Sequence, residues 1–428
     1  MTLIAFIVLF ALLFWGVPIG LGMGAIGVVG FALKIGWQPA LATVGQIVVD
    51  NVMNYNFSLL PLFLLMSNLI ARSRLSEELY TASHAFLGHR RGGLAMATVV
   101  ACGGFAAVCG SSMATAATMA RVAMPSMRRY GYSDGLATAS IAAGGTLGIL
   151  IPPSIIMVIY GFMTDTDVGK LFIAGIIPGL IGIIFYLGAI SIATRIDASA
   201  GPACEPMPWR QRFGALRGVG GVLALFALIF GGIYGGAFTP SEAAGVGAAG
   251  AFAFALFRRA LTFEEYVEVF VDTAMTTSMM FIVLFGALLF SNFITVGGLP
   301  GLLNEAINAL SVDPILVILF ICAAYLVLGC LLESLSMVLL TIPIFFPIVH
   351  ALGFDPIWFG ILVVVVVEIS MITPPVGMNV FVLKALLPEV SITTIFRGLV
   401  PFIMVDIVRL ALFIAVPSII LFLPSHMK

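Results

Sequence analysis

Charge is the scarcest feature of this sequence. Only 9% of its 428 residues are Asp, Glu, Lys or Arg, against roughly 25% in soluble globular domains. Hydrophobic residues make up 61% of the chain, and its mean hydropathy is +1.18. This composition excludes a soluble domain and predicts an integral membrane protein in contact with the lipid bilayer. The formal net charge of −1 gives no reason to expect nucleic acid or an acidic partner.

The residues that carry most enzyme chemistry are also few. All four histidines lie in expected loops or at the tail: His84, His89, His350 and His426. The sequence contains no HExxH or GxSxG pattern and no phosphate-binding loop, so it does not predict an enzyme. The five cysteines lack CxxC spacing, and four lie in apolar segments, which is typical of free, buried thiols. No basic residue precedes the first apolar run, so we expect a first helix that stays in the membrane.

What the sequence does contain is a long series of apolar runs. They recur at helical length, whereas a membrane β-barrel would show alternating segments of roughly 10 residues, so the predicted fold is all-α and polytopic. Residues 1–56 are interpreted as N-terminal scaffold helices. Two helices meet at Pro18, or one long helix is kinked there, and a weakly polar connection follows over 34–56. After a span at 57–71, interleaved polar and apolar residues over 72–91 indicate an amphipathic helix in the membrane interface.

Arginines on both sides of residues 94–120 predict a re-entrant helical hairpin, assigned to residues 94–125. One group precedes this stretch and one follows it: Arg72, Arg74, Arg90 and Arg91, then Arg121, Arg128 and Arg129. Loops rich in arginine stay in the cytoplasm, so a single crossing would leave one group outside. Two arms of about 12–15 residues, rising about 1.5 Å per residue, cannot cross a core of ~30 Å. We therefore expect the chain to enter and leave on the cytoplasmic side, turning at Gly103-Gly104 and Gly110-Ser111-Ser112.

Further spans follow the hairpin in order: 136–161, 171–194, 218–234 and 242–257. The first two complete a unit over residues 57–194. The next two belong to a connecting scaffold over 195–272, in which Thr239-Pro240-Ser241-Glu242 has the form of a helix N-cap with an acidic first turn. Residues 262–272 are interpreted as a second interfacial helix.

The last segment, 273–428, repeats the first unit. A series of positions matches without a gap between the two halves: Pro125, Gly131 and Pro152-Pro153 with Pro347, Gly353 and Pro374-Pro375. Ser112 then corresponds to Ser334, and Thr146 to Glu368. An odd number of spans separates the copies, so we expect inverted-topology repeats, each with a re-entrant hairpin and a Pro-Pro broken helix. The second hairpin is predicted over 314–349. Inverted repeats with broken helices are typical of secondary transporters.

The predicted binding site lies near the middle of the membrane, where the two hairpin tips meet the two Pro-Pro breaks. Hydroxyls and unwound carbonyls suit a small cation such as Na⁺, and helix N-termini suit an anionic substrate. Embedded carboxylates such as Glu333 and Glu368 are costly and commonly functional, although either one could instead be satisfied by N–H groups and stabilise the fold. Helix packing is the alternative for the tip serines. Substrate contacts are predicted at Thr115, Pro152, Pro153, Pro374, Pro375 and Asn379.

Several motifs together resemble the large membrane subunit of TRAP (tripartite ATP-independent periplasmic) transporters. They are GGLAMA (92–97), GSSMATAATMARVAMPSMRRYGY (110–132), GTLGILIPPSIIMVIYG (145–161), FIAGIIPG (172–179), FTPSEAA (238–244) and EISMITPPVGMNVF (368–381). The resemblance covers nearly the whole chain. It implies a transporter of the bacterial inner membrane that uses a Na⁺ gradient and an elevator mechanism to import small organic acids. In such a mechanism, the hairpins and broken helices would move as one block against a frame.

The resemblance also implies partners and a cation site. The expected partners are a small membrane subunit of about four helices, as a separate chain, and a periplasmic substrate-binding protein. The implied Na⁺ ligands are Ser111, Ser112, Gly145, Thr146, Glu333, Ser334, Ser336 and Thr373. Many members of the family have Asp at the position of Glu333. The alternative function is a single-component elevator carrier, coupled to a cation or to protons, that works without a binding protein.

Overall fold

The computed structural model describes residues 2–73, 75–309 and 312–427, so Arg74 of the predicted topology pattern lies outside the described residues. The described residues form helices joined by short loops and contain no β-strand, which confirms the all-α class. In chain order the helices are α1 Thr2–Phe14, α2 Ile19–Ile35, α3 Trp37–Met53, α4 Leu59–Ala71, α5 Leu75–Leu87, α6 Gly93–Cys109, α7 Ser112–Arg129, α8 Asp134–Thr146, α9 Ile155–Thr164, α10 Val168–Ile196, α11 Trp209–Tyr234, α12 Pro240–Phe257, α13 Phe263–Val296, α14 Leu299–Ala309, α15 Pro314–Gly329, α16 Ser334–Ala351, α17 Pro356–Ser370, α18 Met378–Leu386, α19 Ile392–Ala415 and α20 Ser418–Leu421.

The helices have the length and composition of a multi-pass membrane protein. Six of those described are long and apolar enough to cross a bilayer, or seven if the bent pair of α3 and α4 forms one span. Large apolar side chains cover much of the outer surface, as Trp15 and Phe257 show, each 87% exposed. In water such an apolar surface would cause aggregation, whereas in a bilayer it is the surface expected to contact the lipid chains.

The two predicted repeats are present as matching helices. α7 and α16 each have 18 residues, and every residue of α7 has its counterpart 222 positions later, from 112 and 334 to 129 and 351. Each helix is followed by a glycine with a left-handed backbone, Gly131 at φ 76° and Gly353 at φ 82°. A side chain with a Cβ rarely adopts that conformation, so glycine is the expected residue at this helix end. Both Pro-Pro breaks contain a cis peptide bond. The inverted orientation of the second copy stays a prediction.

Both hairpins are present, with a correction to their arms and turns. α6 and α7 have 17 and 18 residues, not 12–15, and at about 1.5 Å per residue they still fall short of a ~30 Å core. The chain turns at Gly110-Ser111, whereas Gly103-Gly104 lies inside α6 and is no turn. A Cβ on Gly103 would lie 2.6 Å from Ile183 of α10, and one on Gly104 would lie 3.0 Å from Leu79 of α5. These two glycines therefore allow neighbouring helices to pack closely against α6.

Two predicted scaffold features are wrong. Residues 34–56 are not a polar connection, because they contain α3, which is bent by 64° against the segment that includes α4. Polar side chains such as Gln46 and Asp50 lower the hydropathy of α3 without interrupting its helical backbone. Residues 262–272 are not a separate interfacial helix either, since they begin the 34-residue helix α13. The predicted boundary between the connecting scaffold and the second repeat, at 272/273, falls inside this helix.

Other expectations for the scaffold are confirmed. The first two helices are separate and meet near Pro18. Thr239 caps α12 in a reciprocal capping box with Glu242, as its sequence pattern predicts. α5 forms where the first amphipathic helix was expected, and its apolar side packs on α6 and α11. Its position relative to a membrane interface stays a prediction.

The core is formed by the two helices that lead into the breaks. Every residue of α8 from Leu136 onwards and every residue of α17 from Trp358 onwards is buried. α8 packs on both arms of the first hairpin and on α19, and α17 packs on both arms of the second hairpin and on α10. Each repeat therefore contributes one central helix, and each central helix ends beside a hairpin tip.

Candidate cation and substrate site

The two hairpin tips and the two helix breaks line one cavity of about 70 Å³, which has room for a small ion and water. The tips contribute four of the predicted cation ligands: Ser111, Ser112, Glu333 and Ser334. Ile149 and Ile155 flank it from the first break, and Met371 from the second. Met280 of α13 also reaches this cavity, which we call the tip cavity. The predicted meeting of tips and breaks is therefore present in the structure.

Two equivalent residues cap the helices that start at the tip cavity. Ser111 is the N-cap of α7, and its Oγ accepts a hydrogen bond from the Ala114 N–H at 3.4 Å. Glu333 stands 222 positions later as the N-cap of α16, and its Oε2 accepts from the Ser336 N–H at 3.3 Å. Free N–H groups and the helix dipole make such N-termini favourable for negative charge. A negative residue is found only at the second tip.

Serine hydroxyls surround the Glu333 carboxylate. Ser334 Oγ donates to Glu333 Oε1 at 3.1 Å, and Ser336 Oγ donates to Glu333 Oε2 at 3.4 Å. Glu333 is half-buried, and no Lys or Arg of the described chain forms an ion pair with it. At the tip cavity the second tip therefore presents an unpaired carboxylate and the Ser334 hydroxyl, both hard oxygen donors that suit Na⁺, whereas Ser336, also predicted as a ligand, does not line the cavity.

The predicted substrate residue Asn379 links the second break to the first hairpin. It is fully buried, and its Nδ2 donates to Ser112 Oγ at 2.7 Å and to the Ala142 carbonyl oxygen at 3.0 Å. Its own N–H donates to the Met371 carbonyl oxygen at 3.1 Å. Asn379 thus fixes the first tip, α8 and the second break relative to one another, and a substrate role for it stays a prediction.

The other predicted residues lie around the tip cavity without lining it. Thr115 Oγ1 donates to the Ser111 carbonyl oxygen at 2.8 Å, and Thr373 Oγ1 donates to the Ile369 carbonyl oxygen at 2.6 Å. Gly145 lies where α8 approaches α7, since a Cβ there would be 2.9 Å from the Ala116 Cβ. The prolines differ between repeats: Pro152 and Pro153 are buried, whereas Pro374 and Pro375 are exposed.

Thr146 belongs to a different group of polar side chains. Its Oγ1 donates to the Ala143 carbonyl oxygen at 2.8 Å and lies 3.3 Å from the Tyr186 hydroxyl. Tyr186 in turn donates to Asp406 Oδ2 at 2.8 Å. Arg409 Nη2 lies 3.0 Å from Asp406 Oδ1 and donates to Glu368 Oε2 at 2.7 Å. We call these five residues the buried ion cluster.

The buried ion cluster is fully enclosed by protein. The side chains of Glu368, Asp406 and Arg409 have no exposed surface. Glu368 Oε1 and two guanidinium nitrogens of Arg409 have no hydrogen-bond partner among the described residues. Glu368 was predicted from the sequence as a candidate, whereas Asp406, Arg409 and Tyr186 were missed. The available signal was an Asp and an Arg three residues apart inside an apolar span, where charge is expensive.

A site for a transition metal is not evident. No group of three or more His, Cys, Asp or Glu side chains comes together in the part of the chain that the structure describes. The cysteines are free thiols, as expected.

Two polar clefts lie on either side of the acidic loop 165–167. One, of about 480 Å³, is bounded by Asn51, Asn54 and Ser241, and the other, of about 570 Å³, by Lys170 and His350. The predicted hairpin returns to the cytoplasm and the predicted span 136–161 then crosses outward, so both clefts would open on the outer side of the membrane.

Comparison with known proteins identifies a family. The model of the family described as "Tripartite ATP-independent periplasmic transporter, DctM component" matches residues 6–419. The chain is 38% identical over 373 residues to the C4-dicarboxylate TRAP transporter large permease protein DctM of Pseudomonas aeruginosa, covering 87% of each chain. It is 32% identical to the ectoine TRAP transporter large permease protein TeaC of Halomonas elongata, covering 99% of each. It is 29% identical to the sialic acid TRAP transporter large permease protein SiaM of Vibrio cholerae, covering 97% of this chain and 96% of that protein.

A solved structure shares the fold at lower sequence similarity. The YdaH transporter of Alcanivorax borkumensis superposes with a TM-score of 0.62 and 15% identity, covering 89% of each chain. Its likeness concerns the fold alone.

Proposed function

The chain belongs to the DctM component family of TRAP transporters, and we propose that it imports small carboxylate anions, driven by a Na⁺ gradient. A periplasmic substrate-binding protein would deliver the substrate, and a small membrane subunit would complete the complex in the bacterial inner membrane. C4-dicarboxylates are the first candidates, because relatives named for them reach 33–38% identity. The meeting of both tips and both breaks at the tip cavity carries this proposal.

The tip cavity has donors that fit Na⁺. Ser111, Ser112, Glu333 and Ser334 all offer oxygen atoms. The other described side chains that line the cavity include methionines but no cysteine or histidine. These four residues would hold the ion, whose positive charge would draw a carboxylate substrate to the same region. A membrane potential of about 100 mV contributes about 2.3 kcal/mol per charge moved. Two Na⁺ ions moved with a monoanion carry one net positive charge inward and so draw on the potential, whereas two Na⁺ ions moved with a dicarboxylate dianion carry no net charge and draw only on the Na⁺ gradient.

The distribution of ion pairs supports an elevator. We assign α4, α5, α12 and α13 to the frame, and some ion pairs join these helices: Arg72, at the C-cap of α4, binds Glu268 and Asp272 of α13, and Arg258, at the C-cap of α12, binds Glu78 of α5. The others lie among α7, α8, α17, α19 and the loop before α19: Arg128–Asp134, Arg128–Glu389, Arg409–Glu368 and Arg409–Asp406. No ion pair of the described residues joins one group to the other. One group of helices could therefore slide past the other without breaking an ion pair between described residues.

Uptake into proteoliposomes tests the function. The vesicles would hold this chain and its small partner subunit, with the cognate binding protein outside and radiolabelled succinate, malate, sialic acid or ectoine as candidates. We expect uptake of a carboxylate that requires both the binding protein and an inward Na⁺ gradient, and that stops when choline replaces Na⁺. Uptake without the binding protein would instead establish the single-component carrier. Uptake driven by a pH gradient alone would refute Na⁺ coupling.

A thiol cross-link tests the moving block. Ser67 of α4 donates to the Cys109 carbonyl oxygen at 3.0 Å, where the proposed frame meets the first tip. In a Ser67→Cys variant, oxidation should join position 67 to the native Cys109 and stop uptake, and a reductant should restore it. The same treatment of Ser67→Cys with Cys109→Ala is the matched control and should leave uptake unchanged. Full uptake by the cross-linked protein would contradict movement of this hairpin against α4.

A further inference from the structure

An exposed group of aromatic and arginine side chains begins α11. Trp209 and Phe213 are 64% and 60% exposed, and their rings stack with centroids 6.0 Å apart. The guanidinium carbon of Arg212 lies 4.7 Å from the centre of the Trp209 ring, and Arg212 Nε donates to the Met207 carbonyl oxygen at 2.9 Å. We call Trp209, Arg210, Arg212, Phe213 and Arg217 the α11 cluster.

The positive charge of the α11 cluster is not neutralised within the described chain. Elsewhere in the chain, Arg72, Arg128 and Arg258 are ion-paired, but Arg210, Arg212 and Arg217 form no ion pair with described residues. The preceding loop has two acidic residues, Asp197 and Glu205. Asp197 accepts hydrogen bonds from Ser199, and neither Asp197 nor Glu205 forms an ion pair with a described arginine. Glu78, next to Gly218, is bound by Arg258.

Further arginines lie close to the α11 cluster. The loop before α11 is hydrogen-bonded to the turn between α5 and α6, with Gly92 N–H donating to the Gly201 oxygen at 2.8 Å and Cys204 N–H to the Gly88 oxygen at 3.0 Å. That turn carries Arg90 and Arg91, both exposed. The rings of Phe86 in α5 and Phe213 lie 6.5 Å apart, so this turn and its two arginines lie near the α11 cluster.

The α11 cluster lies at the end of the arginine-rich stretch 195–217, which the preference of such loops for the cytoplasm places on the cytoplasmic side of the membrane. Beyond Arg217 the helix becomes an apolar span, with exposed side chains such as Leu223 and Leu228. Positions 210 and 217 are seven residues apart, so they lie on one side of the helix, as do 209 and 213. Tryptophan prefers the level of the lipid headgroups, and juxtamembrane arginines attract anionic lipids.

We propose that the α11 cluster binds the headgroup of an anionic phospholipid on the cytoplasmic side of the membrane. Arg217, next to the apolar span, contacts the phosphate together with Arg210 on the same side of the helix, and Arg212, fixed against Trp209 on another side, adds to the positive potential. Phe213 and Trp209 lie about one and two turns farther from the apolar span than Arg217 and pack against the outer part of the headgroup. A zwitterionic lipid carries a compensating positive charge and binds more weakly at this surface.

Lipid binding to the purified full-length chain tests the proposal. Native mass spectrometry or fluorescence titration would compare phosphatidylglycerol with phosphatidylcholine. We expect phosphatidylglycerol to bind at least tenfold more tightly, with an affinity that falls as salt rises. The variant Arg210→Gln/Arg212→Gln/Arg217→Gln should lose this preference, and Trp209→Ala should weaken it about threefold.

A second variant with the same change in charge provides the control. Arg129, Arg259 and Arg397 are arginines outside the α11 cluster, and glutamine at all three should leave phosphatidylglycerol binding unchanged. An equal loss in both triple variants would reduce the effect to overall charge and overturn the proposal. Loss of lipid binding when the small subunit joins the complex would assign the surface to that partner and overturn it too.

Discussion

Replacing Glu333 with asparagine is expected to raise the Na⁺ concentration that half-saturates uptake by about 10- to 100-fold. The Glu333 carboxylate lines the tip cavity, accepts hydrogen bonds from Ser334 and Ser336, and has no cationic partner among the described residues. Interactions with a charged group contribute about 1.5–3 kcal/mol, and about 1.4 kcal/mol corresponds to a tenfold change in affinity. The measurement is the Na⁺ dependence of uptake by proteoliposomes at fixed substrate and membrane potential.

Asparagine separates the charge of Glu333 from its structural role. Glu333 also caps α16, and asparagine is a good N-cap residue without charge. Alanine should remove both properties and lower the thermal stability in addition, by about 1 kcal/mol for the lost cap. Aspartate retains both and should transport with a Na⁺ requirement close to that of the native protein. An asparagine variant with unchanged Na⁺ dependence would limit Glu333 to the cap and exclude it as a cation ligand.

Ser336→Ala is the matched control at the same tip. Its hydroxyl donates to Glu333 at 3.4 Å, at the long end of hydrogen-bond distances. Removing it leaves the charge and the N-cap intact. We expect a change in the Na⁺ requirement of less than about threefold.

The broken helices could be predicted because their signals are local. A Pro-Pro pair prevents regular helix, and the constant spacing between the halves locates both breaks and both tips along the chain. α3 was missed for the opposite reason. Hydropathy averages over a window, so Gln46 and Asp50 made a regular helix resemble a connection. The length of α13 was missed because a charged first part and an apolar second part were interpreted as two elements.

For the site, the sequence predicts where a residue lies along the chain better than it predicts the direction of its side chain. Ser111, Ser112, Glu333 and Ser334 meet at one cavity because a hairpin tip exposes consecutive residues. Thr146 does not line this cavity, although it follows Gly145, which packs on the first hairpin. Successive residues on a helix point about 100° apart, since a turn holds 3.6 residues. Sequence spacing locates such a residue along the helix but leaves its neighbours to be decided by packing.

The buried ion cluster gives the largest expected change in stability. Arg409→Met should destabilise the protein by about 3–5 kcal/mol, because two enclosed carboxylates, Glu368 and Asp406, lose their shared cation. Gly182 of α10 lies directly against the guanidinium, so the Arg409 side chain is closely packed against α10. Thermal unfolding of the purified protein in detergent would measure the effect, with Arg397→Met, an arginine of the same helix that is not fully buried, as the control that should change little.

A compensated variant decides whether the cluster stabilises the fold, serves transport, or does both. Replacing a whole buried ion pair or triad by neutral groups of similar volume is often neutral or stabilising. Glu368→Gln/Asp406→Asn/Arg409→Met should therefore recover most of the stability that Arg409→Met loses. Native uptake by this variant would assign Glu368 to the fold alone. A stable variant without uptake would mean that the carboxylates act in transport, although neither lines the tip cavity. Failure to recover stability would show that the specific geometry around Tyr186 and Thr146, rather than charge balance, holds the two repeats together.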